Sequence, residues 1–182
     1  MLSGGLKAAL LLNTEPAADS AAGAAAAPAL AKAQMVVTLS PFKTNLEFSD
    51  VLLPIAPFTE TSGTFVNAEG RVQGFHAVVR PLGESRPGWK VLRVLANLLG
   101  LPAFDFESSQ DVLKTARGVQ DAGQSHVAPA GLSNGTQVAI DLTQATMLPV
   151  TASIYQLDGL VRRSPALQAT ADARQAAQGS AA

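Results

Sequence analysis

The chain has 182 residues and a formal net charge of −1; 47% of it is apolar and only 15% is charged. The near-neutral balance excludes a nucleic-acid platform, which needs a basic excess to displace counterions. The absence of cysteine removes disulfides, thiolate metal sites, iron–sulfur ligation by these residues and cysteine nucleophiles. It also fits a reducing cytoplasm. Soluble domains average about 25% charged residues, so the deficit predicts a surface partly covered by something else. The length suffices for one domain with a proper core plus tails.

The first apolar run is "LKAALLL" at residues 6–12, stopped by "NTEP". A short apolar run that ends at Asn, Thr and Pro reads as a strand feeding a loop. Apolar residues on both faces suit a parallel sheet covered by helices. The run is far shorter than the roughly 20 residues of a membrane span. Glu15 and Asp19 follow it too closely for an export signal. Neither export nor direct membrane insertion is expected.

Residues 17–34 hold 11 alanines in 18 positions, interrupted by Gly23 and Pro28. Alanine favours helix, so a short crossover helix beside a flexible stretch is expected here. "MVVTL" at residues 35–39 predicts a second strand, and "DVLLPIA" at residues 50–56 a third. Thr44 is placed to cap a helical turn between them. Three such strands with crossovers outline a doubly wound α/β layer.

The segment "TFVNAEGRVQ" at residues 64–73 alternates about Asn67, Ala68, Glu69 and Gly70. It reads as a hairpin closed by a positive φ at Gly70. Gly63, seven residues earlier, is expected to bend the chain. Residues 86–100 predict a helix that starts at Pro87 and ends at Gly100. Its apolar stripe is Val91, Leu92, Leu95, Leu98 and Leu99, with Lys90, Arg93 and Asn97 opposite. Trp89 is expected as an anchor against the sheet. A second helix starts at Ser108, with Asp111 completing a capping box, and ends at Gly118. Beyond it, a polar loop at residues 121–133, a turn at Asn134-Gly135 and strands at 136–142 and 150–154 are expected. The division is residues 1–120 as the α/β domain, 121–170 as a C-terminal region and 171–182 as a fraying helix or disordered tail.

Chemistry-bearing residues are sparse. Gly63 and Gly70 do not make G-x-G-x-x-G, and no G-x-x-x-x-G-K follows. Glu60 and Glu69 do not show the cleft that splits the pKa values of a carboxylate pair. Glu60 reads as a helix- or loop-capping acceptor and Glu69 as a partner of Arg71. His76 and His126 stand 50 residues apart without metal-ligand spacing. His76 reads as a core or edge residue and His126 as a solvated one. No G-x-S-x-G is present. Arg162-Arg163 reads as a solvated or interface pair, or as a grip for phosphate or a partner's carboxylate.

"SDVLLPIAPFTETSGTFVNAEGRVQ" closely resembles a segment of the molybdopterin oxidoreductase superfamily. The matching residues are Asp50, Val51, Leu53, Pro54, Glu60, Gly63, Thr64, Asn67, Glu69, Gly70, Arg71 and Gln73. "RPLGESRPGWKVLRVLANLLG" looks like that family's next segment. "IYQLDGLVRRSPALQAT" is similar to the C-terminal end of the large iron–sulfur subunit of bacterial NADH:quinone oxidoreductase, respiratory complex I. The resemblance implies a partial doubly wound layer of the molybdopterin oxidoreductase type, with a projecting β-hairpin and a small C-terminal β-containing region. It implies a fragment that starts inside the α/β domain and lacks the cluster-binding part.

For function, the resemblance implies a structural, non-catalytic portion of a complex that passes electrons from NADH through FMN and iron–sulfur clusters to quinone, coupled to proton translocation. No cofactor or metal is expected in these residues. The implied partners are other subunits of the complex I peripheral arm, on the cytoplasmic side of the inner membrane. A pterin-binding fragment of a molybdenum oxidoreductase is the alternative, with Glu60, Gly63, Asn67, Glu69, Gly70 and Arg71 as its loop. A stand-alone α/β adaptor is a third.

Overall fold

The computed structural model describes residues 5–117 and 153–179. Their contacts divide into two units, one of residues 5–37, 44–50 and 153–179, the other of residues 38–43 and 51–117.

In the first unit, β1 (Ala8–Leu12) is the strand expected from the first apolar run. It is not buried on both faces. Leu11 is in the core, while Leu10 and Leu12 are about half exposed. The alternation is that of a strand covered on one side. The alanine-rich interval forms three short pieces, not one short helix beside a flexible stretch: α1 (Pro16–Asp19), a 3-10 turn at Gly23–Ala25 and α2 (Ala26–Leu30). Gly23 at φ +53° breaks the first from the second. Pro28 sits in the first turn of α2, where its missing N–H costs no helical bond. Leu11, Leu30, Val36 and Phe48 form the core, and Ala9, Ala27 and Ala33 pack against it.

β2 (Met35–Ser40) follows, contributing residues 35–37 to the first unit and 38–40 to the second. The turn after it is organised by Asn45 and not by a cap at Thr44. Asn45 is buried, adopts φ +59°, and its carbonyl accepts from the amides of Phe48 and Ser49. Asn tolerates the left-handed region better than a β-branched residue would. Asp50 then ties the start of β2. Its carboxylate accepts the Val36 N–H at 2.7 Å, and its own N–H donates to the Val36 carbonyl at 2.9 Å.

In the second unit, β3 (Val51–Pro54) lies beside β2, completing the order β1-β2-β3. Leu39, Ile55, Ala56 and Ala96 are its buried apolar residues. β4 (Gly63–Val66) and β5 (Val72–Phe75) form the expected antiparallel hairpin, with Val66 opposite Val72 and Gly63 opposite Phe75. α3 (Gly88–Leu98) has Pro87 as its N-cap, so the helix starts one residue later than expected. Its end is a full Schellman motif. Gly100 has φ +70°, its N–H donates to the Asn97 carbonyl, and Leu101 N–H donates to that of Ala96. Only Ala96 of α3 is buried, and Leu98 stands 80% exposed. The apolar stripe is therefore only partly covered among the described residues.

α4 (Ser109–Arg117) opens on the expected capping box. Asp111 N–H donates to Ser108 Oγ at 3.1 Å, and the Asp111 carboxylate accepts the Ser108 N–H at 2.9 Å. The Ser108 hydroxyl bond, with the Glu107 and Ser108 amides, outweighs desolvation and holds that carboxyl below its usual range.

The expected end of α4 at Gly118, the loop with His126, the turn at Asn134-Gly135, the strand at 136–142 and most of that at 150–154 lie outside the described residues. The described residues beyond them are helical, not β-containing: α5 (Gly159–Arg162), α6 (Pro165–Gln168) and α7 (Ala171–Gly179). Ile154 sits in a turn. Residues 171–179 are thus a helix where a fraying helix or a tail was expected, because Ala and Gln favour helix and Thr170 Oγ1 caps the Ala173 N–H. Among the described residues no helix is long and apolar enough to cross a membrane.

Candidate functional site

The six candidate residues belong to one short segment but do not converge on one point. Glu60 lies before the hairpin, in a 3-10 turn at Phe58–Glu60. Its carboxylate accepts the Leu82 N–H at 2.9 Å, which is the loop-capping role its position suggests. Thr59 accepts the amides of Val78 and Val79 through its carbonyl, and Ser62 Oγ accepts Ala77 N–H. Residues 59–62 and 77–82 therefore brace each other beside the hairpin.

Gly63 is the first residue of β4 and does not bend the chain. A Cβ there would stand 2.7 Å from the tip of the Phe75 ring. That ring stacks on Phe65 with centroids 4.6 Å apart. The glycine makes room for a cross-strand aromatic, a pairing that stabilises a hairpin.

Asn67, Glu69, Gly70 and Arg71 form the tip. Asn67 Oδ1 accepts the amides of Glu69 at 3.1 Å and Arg71 at 2.8 Å. Gly70 N–H donates to the Asn67 carbonyl at 2.9 Å, and Gly70 has the positive φ of +79° that the turn needs. Among the described residues no ion pair joins Glu69 to Arg71, so the pairing expected from their proximity is not formed. Both side chains are exposed.

His76 follows β5 and is exposed, not a core residue. It lines an open groove of about 730 Å³ with Glu60, Arg80, Arg86, Trp89 and Lys90. Trp89 is therefore a groove residue, with Lys90 Nζ 5.3 Å from its ring centre. The Arg86 guanidinium donates to the carbonyls of Gly83 and Ser85 and lies 3.9 Å from Glu84, so its own loop occupies it. A second groove of about 700 Å³ runs along α3, lined by Leu53, Val91, Val94, Leu95 and Leu98. Arg93 is not simply solvated. It donates to the Phe106 carbonyl at 2.6 Å.

Sequence reasoning missed a second constellation, in the first unit. Arg162 donates to Asp19 Oδ1 at 2.9 Å and lies 3.5 Å from Glu15 Oε1. Arg163 donates to the same Glu15 oxygen at 2.7 Å. The Arg162 side chain is 11% exposed. Burial opposes its charge, but bonding to Asp19 and Glu15 prevails and raises its pKa. Burial likewise opposes the Asp19 charge, yet the Glu15 amide and Arg162 hold that carboxyl below its usual range. The adjacent arginines were the visible signal, but their carboxylates lie 143 and 148 residues away.

Comparison with known proteins now bears on this geometry. The family model for molybdopterin oxidoreductases matches residues 1–98, more than half of the chain. The chain belongs to the molybdopterin oxidoreductase family. A relative from Bacillus subtilis strain 168, named as an oxidoreductase, is 43% identical over 70 residues, 38% of this chain and 7% of its own length. Proteins named as formate dehydrogenases from Staphylococcus aureus are similar too. That of strain bovine RF122 is 49% identical over 53 residues, and that of strain USA300 is 45% identical over 53. Each of these two matches covers 29% of this chain and 5% of the relative. The matched stretch is thus a small part of much longer proteins. The α/β architecture, with small sheets, helices and the hairpin, accords with a partial domain of this molybdopterin oxidoreductase type.

The family name implies a pterin. In the hairpin the Gly63 position is covered by Phe75, the Asn67 acceptor is taken by two turn amides and Glu60 is taken by Leu82, while the Glu69 and Arg71 side chains are exposed. Among the described residues no three carboxylate or imidazole side chains converge as metal ligands do.

Proposed function

We propose that this chain is a structural portion of a molybdopterin oxidoreductase-type large subunit, that of the NADH:quinone oxidoreductase of respiratory complex I. The observation that carries the structural role is the hairpin itself. Four of its six candidate residues are spent on the fold: Gly63 under Phe75, Gly70 and Asn67 in the turn, and Glu60 on Leu82 N–H. Exposed Val78, Leu82, Leu98 and Leu99 and the low charge further support a surface that packs against other protein. The complex I assignment is supported by the likeness of "IYQLDGLVRRSPALQAT" to the C-terminal end of that large subunit. In this reading NADH oxidation, FMN, the clusters and quinone belong to the rest of the complex, and this portion supplies interfaces in its peripheral arm on the cytoplasmic face of the inner membrane.

A second reading is favoured by the relatives named as formate dehydrogenases: part of an oxidoreductase that holds a pterin dinucleotide between domains. The two are separated by native electrophoresis of detergent-solubilised membranes, with immunodetection using antibody raised against this chain. Co-migration of the antigen with NADH:quinone oxidoreductase activity is expected. Co-migration with formate oxidation, or a free 18.7 kDa protein in the cytosol, would overturn the complex I assignment.

A further inference from the structure

We propose that Arg162 and Arg163 form an intramolecular clasp that sets the conformation of the loop after β1, so that residues 158–163 complete a domain whose family match ends at residue 98. Both sides of the clasp are also held by further hydrogen bonds. On the loop side, Asp19 Oδ2 accepts the Glu15 N–H at 2.7 Å and the Thr14 hydroxyl at 3.3 Å. The Glu15 carbonyl accepts the amides of Ala18 and Asp19. Asn45 Nδ2 donates to the Thr14 carbonyl at 3.0 Å. The two carboxylates are thereby presented together at one end of α1.

On the C-terminal side, the Asp158 carboxylate caps α5 by accepting from Leu160 and Val161. Gln168 Nε2 donates to the carbonyls of Tyr155 and Val161. Arg162 also donates to the Gln156 carbonyl at 2.6 Å, and Arg163 to that of Gly159 at 2.9 Å. Each guanidinium is thus aimed by its own segment and then takes a carboxylate of the loop. Planar multi-donor groups on carboxylates are the strong form of this contact. Two cations face two anions, so the contact is neutral, and ordering one pair has already fixed much of the other. Arg162 and Arg163 act as positioning residues: they hold the loop and perform no chemistry.

The test uses amide hydrogen exchange on the full 182-residue chain. Arg162→Ala is expected to speed exchange of the Glu15, Ala18 and Asp19 amides by about tenfold or more, as a local opening does. The Gly70 and Asn67 amides of the hairpin should be unchanged. Arg162→Met, which keeps an unbranched side chain of similar reach without the charge, should lose protection to the same extent, because the carboxylates then have no cation between them. A merely space-filling arginine would be replaced by Met without loss. Unchanged exchange in Arg162→Ala, or exchange in Arg162→Met as slow as in the wild type, would overturn the clasp. If Arg162→Ala does not fold, Arg163→Gln carries the same test: faster Glu15 exchange supports the clasp, and unchanged exchange contradicts it.

Discussion

The β4–β5 hairpin and the loop after β1 are both short polar connections at the end of a strand, and they are held by opposite means. The hairpin is closed by partners within a few residues: Asn67 Oδ1 to Glu69 and Arg71, Gly70 to Asn67, and Gly63 beneath Phe75. The loop after β1 depends on arginines 143 and 148 residues away. A locally closed turn carries its motif in its own sequence. A clasped loop divides its motif between two distant segments, and neither half looks meaningful alone.

That contrast orders the expected effects of mutation. The largest is at the clasp. Arg162→Ala leaves Glu15 and Asp19 facing each other with only Arg163 to compensate. Breaking a largely buried ion pair from one side costs a few kcal/mol. With the carboxylates still 21% and 27% exposed, a loss of about 2 kcal/mol is expected in denaturant unfolding of the first unit. Next is Gly70→Val. A β-branched residue at φ +79° meets the left-handed penalty of about 1–2 kcal/mol. The shift should appear in urea unfolding followed by Trp89, the single tryptophan, and leave exchange of the Glu15 amide untouched. Equal effects of this change on both regions would break the contrast.

Ser108→Ala is smaller. It removes one half of the capping box at α4 and should cost about 1 kcal/mol, again in the second unit alone. The smallest effect is on acidification. Asp19 and Asp111 both titrate below their ordinary value of 3.8 in the folded chain. Their stabilisation is therefore fully present above that value and is lost as pH falls through the lower folded ones. Acid unfolding curves should show no contribution from either residue near neutral pH. Asp19→Asn should flatten the acid limb for the β1 loop and leave the α4 limb unchanged.

The same division explains what is legible in the sequence. The hairpin, the Schellman end of α3 and the Ser108–Asp111 capping box follow from local rules, and each stands within a residue or two of its expected place. The alanine-rich interval reads as a short helix beside a flexible stretch, but it is shared among α1, a 3-10 turn and α2, with the positive φ of Gly23 at the break. Thr44 stands out over Asn45 because a Thr cap is a familiar local signal. The burial of Asn45 and its bond to Thr14 come from tertiary packing. The single covered face of β1 is hidden for a similar reason: an apolar run says that a face is buried, not how many faces are. Arg162 and Arg163 are legible as a basic pair and illegible as a clasp.

Equilibrium dialysis of the intact chain against a pterin dinucleotide, with Arg71→Ala in parallel, separates a packing hairpin from a ligand loop. If the hairpin is a packing element, the wild-type chain and Arg71→Ala will both show no saturable uptake. Saturable binding to the wild type that Arg71→Ala abolishes would contradict the account and make the hairpin a ligand loop.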